Sequence, residues 1–169
     1  MEKLYPDELN LTERLPSGRR YIIPIGFMRG RQRADEYSQE KMKRAIASIR
    51  KGGIDYLKNN PIILCYMKTL RGGYFGIVDG HHRVRAATNR RMTGERIPRI
   101  PSLVYTPKEI VPTFEDILHK RFDEVTLAQR FDEQIAEALA SFNFLDDKKI
   151  PRSTIGPIHD IDSLPFQTF

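Results

Sequence analysis

The sequence predicts a compact α/β domain of the α+β kind, in which a small sheet carries helices and a helical extension follows. Three short apolar runs, at residues 21–25, 61–67 and 74–78, have the length of buried strands. Between the first two, apolar side chains recur at helical spacing in one stripe: Met42, Ala45, Ile46 and Ile49. A chain of 169 residues can form one such domain with an ordinary core.

Residues with special backbone preferences set the expected ends of the first elements. Pro24, within the first apolar run, is suited to the edge or the end of a sheet. Asp35 or Ser38 can cap the helix that follows, because both side chains accept hydrogen bonds from a helix N-terminus. The glycines at residues 52–53 are expected to end that helix.

The middle of the chain predicts a hairpin, a helix and a further strand. The second and third apolar runs flank an Arg-Gly-Gly turn and are expected to pair as a hairpin. A helix is expected over residues 81–91, and residues 93–94 (Thr-Gly) would break it. Pro98 and Pro101 would delay the next strand to residues 102–105.

Composition divides the chain into four parts. We expect an N-terminal arm at residues 1–19, a core domain at 20–108, a helical extension at 109–149 and a proline-containing tail at 150–169. In the extension, Thr113 with Asp116 resembles a helix-capping pattern, and a longer helix with an apolar stripe is expected over residues 126–142. The tail is too apolar for solvated disorder, so it is expected to dock either on its own domain or on a partner.

The charge is divided unevenly along the chain. The net charge is +6, of which residues 1–108 contribute +12 and residues 109–169 contribute −6. This asymmetry favours an anionic partner, nucleic acid or a nucleotide, for the first part; solvated faces of opposite sign are the alternative. No apolar stretch approaches the ~20 residues of a membrane span, and no secretion signal is evident, so we expect a cytoplasmic protein with no membrane partner. Cys65, the single cysteine, excludes an internal disulfide and is expected to be inert core.

The segment Asp-Gly-His-His-Arg at residues 79–83 is the most informative motif, because it follows an apolar run and opens a helix. Helix N-termini carry unpaired N–H groups and attract anions. Gly80 allows unusual backbone angles, and the Arg83 guanidinium can hold a phosphate through two parallel hydrogen bonds. We therefore interpret the motif as a phosphate site; a structural turn with a capped helix is the alternative.

The polar residues of this motif suggest roles in catalysis. His81 and His82 are candidates for catalysis as well as phosphate binding, since an imidazole beside Arg83 can stabilise charge on a transferring phosphoryl group. Adjacent helical side chains point about 100° apart, so the histidines are not expected to bind one metal together. Asp79 can accept a proton from a nucleophile or hold Mg²⁺, or it can be a plain backbone cap.

Arginines extend the basic character beyond this motif. Arg29, Arg31 and Arg33 are expected in a basic loop, where they would contact phosphate or nucleic acid unless they are only solvated. A second candidate nucleic-acid surface comprises the arginines from the motif onward: Arg83, Arg85, Arg90, Arg91, Arg96 and Arg99.

Three stretches, residues 23–33, 43–53 and 74–87, together resemble the ParB/sulfiredoxin superfamily. The third stretch, Tyr-Phe-Gly-Ile-Val-Asp-Gly-His-His-Arg-Val-Arg-Ala-Ala, is similar to the phosphate-binding box of that family and is the most specific. The resemblance covers residues 20–106 and implies a small mixed sheet. It also implies a nucleotide, CTP or ATP/ADP with Mg²⁺, whose phosphates contact residues 80–83, with Arg31 and Arg33 approaching from the first stretch.

The departures from the family narrow the implied activity. The sulfiredoxin cysteine aligns with His81, so thiol-repair chemistry is not expected. The residues after the core do not resemble the DNA-reading domain of ParB itself. The first hypothesis is therefore a nucleotide-binding, phosphate-handling protein that hydrolyses nucleoside triphosphates on or near DNA, with a homodimer left open. The alternatives are a metal-dependent DNA nuclease, a serine-type small-molecule kinase using ADP or ATP, and a non-catalytic DNA-binding accessory.

Overall fold

The computed structural model describes residues 11–30, 38–69, 72–118, 156 and 160–169. These residues form a mixed five-stranded sheet with helices, which confirms the predicted α+β class. The strands are β1 (Arg19–Pro24), β2 (Met28–Arg29), β3 (Ile62–Thr69), β4 (Gly72–Asp79) and β5 (Arg99–Tyr105). The helices are α1 (Leu11–Arg14), α2 (Gln39–Asn59), α3 (His81–Ala87), α4 (Arg90–Thr93) and α5 (Pro107–Leu118). Short 3-10 turns at Ile25–Phe27 and Ile161–Ser163 complete the described elements.

The strands lie in the order β1-β5-β3-β4-β2. The pairs β1–β5 and β3–β4 are antiparallel, whereas β3–β5 and β2–β4 are parallel. The β3–β4 pair is the predicted hairpin, which is confirmed. Pro24 is the last residue of β1 at the edge of the described sheet, as the sequence predicted.

Strand β5 begins at Arg99, three residues earlier than predicted, and includes Pro101. Pro101 lies opposite Ile22 of β1, and the Ile22 N–H points away from β5 to the carbonyl of Gln167. Pro101 therefore occupies a non-hydrogen-bonded pair, where no N–H is needed toward β1. On its other side the pairing with β3 begins only at Ser102, so the proline disrupts neither ladder.

The glycine pair in α2 breaks the helix but does not end it. Ser38 is the N-cap, its hydroxyl accepting the Lys41 N–H at 3.3 Å, which confirms one of the two predicted caps. Gly53 has φ 56° and ψ −137°, so the helical geometry is interrupted there, yet helix resumes and runs to Asn59. The reason is tertiary: Leu57 in the second segment is fully buried in the core.

The helix predicted over residues 81–91 is two helices, α3 and α4. Asn89 divides them because its side chain accepts the Arg91 N–H at 3.0 Å and so caps α4. Gly94, at φ 84°, ends α4 in the left-handed conformation, as predicted.

Helix α5 begins earlier than the sequence interpretation placed it. Thr106 and Glu109 form a reciprocal cap, in which the Thr106 N–H donates to Glu109 Oε1 at 2.8 Å and the Glu109 N–H donates to Thr106 Oγ1 at 3.2 Å. The predicted cap at Thr113 is wrong, because Thr113 lies inside α5. The helix expected over residues 126–142 lies outside the described residues.

Both faces of the central strands are buried. Along β3, Ile62, Leu64 and Tyr66 join the core cluster that includes α2 and α3, and the alternating residues are equally buried on the other face, where α5 contacts β3. Cys65 is on that second face with no exposed surface, as predicted. Burial raises the pKa of its thiol, which stays protonated.

The described part of the tail docks on its own domain. The Ile22 N–H donates to the Gln167 carbonyl at 2.8 Å, and Thr168 forms a β-bridge with Tyr21. Ile161 and Leu164 are buried in the core. The tail thereby covers part of the outer edge of β1, an edge that would otherwise offer unpaired backbone groups. Within the described ranges, no helix has the length and apolar character needed to cross a bilayer.

Candidate functional site

Strand β4 passes into α3 through Gly80, as the sequence predicted. Gly80 has φ 107° and ψ 21°, a left-handed conformation that favours glycine. A Cβ at this position would lie 2.5 Å from Ile62 Cγ2 and 3.1 Å from Arg83 Nη2. The side of Gly80 where a side chain would stand is therefore filled by Ile62 and Arg83, and the junction is closed in that direction.

The Arg83 guanidinium holds this junction against the beginning of β3. Its Nη1 donates to the backbone carbonyls of Asn60 at 2.5 Å and Pro61 at 3.0 Å. Its Nη2 lies 3.6 Å from the Asp79 carboxylate. Arg83, assigned to phosphate binding, and Asp79, assigned to catalysis, thus contact each other. Arg83 also contacts the main chain. Both residues support the start of α3 from beneath.

The two histidines diverge, as expected for neighbours on a helix. His82 Nε2 accepts the backbone N–H of Ser38 at 3.0 Å, so the ring is attached to the N-terminus of α2. A neutral imidazole that accepts at Nε2 carries its proton on Nδ1. His81 points elsewhere and is only 4% exposed. Its Cδ2 lies 3.8 Å from the point where a Cβ on Gly30 would stand, next to the end of β2.

A cleft of about 420 Å³ opens beside His81. Its polar lining comes from His81, Arg85 and Thr88, which with Val84 form one face at the helical spacing i, i+3, i+4 and i+7. The opposite wall is mainly apolar and comes from the turn after β1, from β2 with the residue that follows it, and from β4: Ile25, Met28, Gly30 and Ile77. The cleft thus combines an apolar wall with an imidazole and a guanidinium.

The predicted site residues therefore separate into distinct places. His81 and Arg85 meet at the cleft, whereas Gly80, Asp79 and Arg83 lie beneath the start of α3. His82 faces the N-terminus of α2. Arg31 and Arg33 lie outside the described residues. Among the described residues, no group of three or more His, Cys, Asp or Glu side chains is placed to hold a metal ion.

Arg29 is not in an exposed basic loop, where the sequence interpretation placed it. It belongs to β2, where it pairs with Gly76 of β4, and it is 3% exposed. Its guanidinium lies inside the protein, so little of it is accessible to a nucleic acid. The reason is that pairing with β4 continues through residue 29, which leaves Gly30 as the first residue after the strand.

The helical layer over the sheet presents an exposed basic surface. Helix α2 contacts both α3 and α4, so their outward side chains form one layer. Arg90 and Arg91, which the sequence assigned to nucleic acid, are exposed on α4. We call the following exposed cations the basic layer: Lys43, Arg44, Arg50, Lys51, Arg90, Arg91 and Arg96.

The sequence interpretation missed the apolar and hydroxyl residues of the cleft. Thr88 and Val84 carried a usable signal, because they share the helical periodicity of His81 and Arg85. Ile25 and Met28 carried none, since their place at the cleft depends on the tertiary packing of the turn after β1 and of β2.

Comparison with protein families and with curated proteins does not identify this chain. No family model matches the chain, and no curated protein is significantly similar to it.

Proposed function

We propose that this chain is a nucleotide-binding, phosphate-handling protein of the ParB/sulfiredoxin type that acts on or near DNA. The observation that carries the proposal is a cleft with a volume of about 420 Å³. Arg85 and His81 line it together with an apolar wall. Small-molecule sites are typically concave, mostly apolar and furnished with a few placed polar groups, and their volumes begin at about 300 Å³.

Each wall of the cleft suits one part of a nucleotide. The side chains of Ile25, Met28 and Ile77 offer the apolar contact that a base or ribose requires. Arg85 supplies a guanidinium with several donors for phosphate oxygens, and the His81 imidazole lines the same cleft. In this arrangement Arg85 contacts the phosphates, and Arg83 with Asp79 positions α3 through the carbonyls of Asn60 and Pro61.

The catalytic roles given to Asp79, His81 and His82, and the place of Mg²⁺ at Asp79, remain predictions. Of the three residues His81 lies at the cleft, so it is the one we assign to a reacting phosphoryl group. The phosphate contacts of Arg31 and Arg33 also remain predictions. The chain reaches those residues directly after Gly30, which lines the cleft.

The DNA part of the proposal is supported by the basic layer, which lies on α2, on α4 and, through Arg96, on the segment after α4. Lysines and arginines on one face are the electrostatic feature of nucleic-acid-binding surfaces. In the proposed arrangement, phosphates of DNA contact this outer layer while the nucleotide occupies the cleft lined by His81 and Arg85. The two anions then use different arginines, and the two activities can be separated by mutation.

Calorimetric titration with ATP, ADP, CTP and GTP in the presence of Mg²⁺ tests the nucleotide site. Arg85→Ala should weaken the binding at least about tenfold, because hydrogen bonds to charged groups contribute about 1.5–3 kcal/mol. The matched control is Arg14→Ala on α1, whose guanidinium forms an exposed ion pair with Asp116 at 3.6 Å and does not line the cleft. No binding of any of the four nucleotides, or equal affinities for both variants, would contradict the proposal.

Turnover assays then separate the alternatives that share this surface. Release of inorganic phosphate from the bound triphosphate supports hydrolysis. Metal-dependent nicking of plasmid that His82→Ala abolishes would favour the nuclease. Consumption of ADP or ATP only when free serine is present would favour the kinase, and salt-sensitive DNA binding without turnover would favour the accessory.

A further inference from the structure

We infer that the C-terminal segment, residues 160–169, is a positioning element of the cleft, acting through Phe166. This inference rests on the proposed function, because it assigns the tail a role in nucleotide affinity. The structural part of it, however, can be tested without a nucleotide.

The tail is held on β1 by contacts that are independent of the cleft. The Tyr21 hydroxyl donates to the Ile161 carbonyl at 3.0 Å, and Arg19 Nε donates to Asp162 Oδ1 at 2.6 Å. The Ile22 N–H adds a backbone hydrogen bond to Gln167. These contacts fix both ends of the segment, so the residue between them, Phe166, has a defined position.

Phe166 reaches from the tail to the turn that forms a wall of the cleft. Its ring centroid lies 5.6 Å from that of Phe27 and 6.0 Å from that of Phe75, both in tilted or edge-to-face arrangements. Phe27 belongs to the 3-10 turn Ile25–Phe27, and Phe75 pairs with Met28 of β2. Ile25 and Met28, on either side of Phe27, line the cleft.

The turn itself has little regular structure to keep it in place. It is three residues long, with the Ile25 N–H donating to Pro98 at 3.0 Å and the Met28 N–H donating back to Ile25. A single 3-10 turn of this length is weakly stable alone. The Phe27–Phe166 contact therefore contributes to the position of the apolar wall, and removing it leaves that wall more mobile.

Thermodynamic linkage makes this effect reciprocal. If the docked tail raises nucleotide affinity by holding the wall, a bound nucleotide must stabilise the docked tail by the same factor. Nucleotide occupancy of the cleft is then communicated to the outer edge of the sheet at β1. There it would be visible as slower exchange of the Ile22 amide hydrogen, which is bonded to the tail.

The test compares two full-length variants that each lose one aromatic ring from the same tail. Phe166→Ala removes the contact with Phe27. The control, Phe169→Ala, removes a ring that lies 4.4 Å from the Arg20 guanidinium on β1 and does not line the cleft. Phe166→Leu keeps an apolar side chain at the same place and replaces Phe166→Ala if that variant does not fold.

The first readout is hydrogen exchange without nucleotide at Ile25 and Met28. We expect faster exchange in Phe166→Ala, intermediate exchange in Phe166→Leu and wild-type exchange in Phe169→Ala. The second readout is affinity for MgATP and MgCTP, which Phe166→Ala should weaken about five- to tenfold, at the lower end of typical coupling between sites. Equal exchange and equal affinity in the two alanine variants would overturn the inference. If the wild-type protein binds neither nucleotide, the proposed function fails, and the exchange readout alone decides whether Phe166 positions the turn.

Discussion

Replacing Gly80 by alanine tests whether the β4–α3 junction is as tightly closed as the contacts indicate. Two separate costs follow from the geometry. A side chain at φ 107° is in the left-handed half of backbone space, which costs about 1–2 kcal/mol. The new Cβ would also stand 2.5 Å from Ile62 Cγ2 and 2.9 Å from Ile62 Cβ, and overpacking of this kind costs about 1–3 kcal/mol. We therefore expect Gly80→Ala to lower the free energy of unfolding by about 2–5 kcal/mol.

Gly94→Ala is the matched control for the first cost alone. Gly94 has φ 84°, and a Cβ there would meet no atom within 4 Å. It should therefore lose only about 1–2 kcal/mol. Urea unfolding followed by circular dichroism gives both values, and the difference between the variants measures the clash with Ile62. Ile62→Ala removes a fully buried core side chain, but it should cost less in the Gly80→Ala background than in the wild type, because there it also relieves the clash. Equal destabilisation of the two glycine variants would refute the reasoning.

Three further predictions concern other parts of the structure. Arg83→Ala should lower the free energy of unfolding by about 1–3 kcal/mol, measured in urea, because the carbonyls of Asn60 and Pro61 lose their donor; an unchanged value would show that the guanidinium is not needed there. Burial alone would raise the pKa of Glu109, but the Thr106 N–H and Arg19 hold that pKa below its ordinary value. Glu109 therefore contributes stability above its unfolded-state pKa and loses it as the pH falls through the folded-state pKa, so Glu109→Gln should show a smaller loss of urea stability on acidification than the wild type; identical pH profiles would contradict this. Replacing Arg90 and Arg91 together by alanine should weaken DNA binding and lower its salt dependence by up to about two counterions, measured by fluorescence anisotropy across a salt series; an unchanged slope would exclude α4 from the interface.

The parts of the fold that the sequence predicts are those fixed by local chemistry. The apolar runs became β1, β3 and β4, Ser38 became a cap, and Gly94 ended a helix. The cap of α5 could also have been predicted, since Thr106 and Glu109 have the spacing of a capping box, which the sequence interpretation overlooked.

The errors arise where distant contacts override local preference. Helix α2 continues past Gly53 because Leu57 is buried, and Pro101 enters β5 because its ladder position requires no N–H toward β1. Neither fact can be inferred from neighbouring residues alone.

The candidate site shows the same division. The motif correctly indicated a glycine junction at the start of α3, and helical periodicity would have grouped His81 with Arg85. The position of the Arg83 guanidinium depends on carbonyls about twenty residues earlier, which no local pattern specifies. The sequence therefore indicated the segment that contributes one side of the cleft. It did not indicate that Arg85, rather than Arg83, lines it.

The neighbours of strand β1 also constrain the order in which the molecule can fold. Its inner neighbour β5 comes some eighty residues later, and the tail residue that bridges its outer edge, Thr168, comes later still. During synthesis β1 therefore leaves the ribosome long before either partner exists, whereas the β3–β4 hairpin can form at once. Contacts between such distant segments close large loops and slow the search for the native state. The exposed β1 edge of the incomplete chain is consequently the place where aggregation, or protection by a chaperone, would begin.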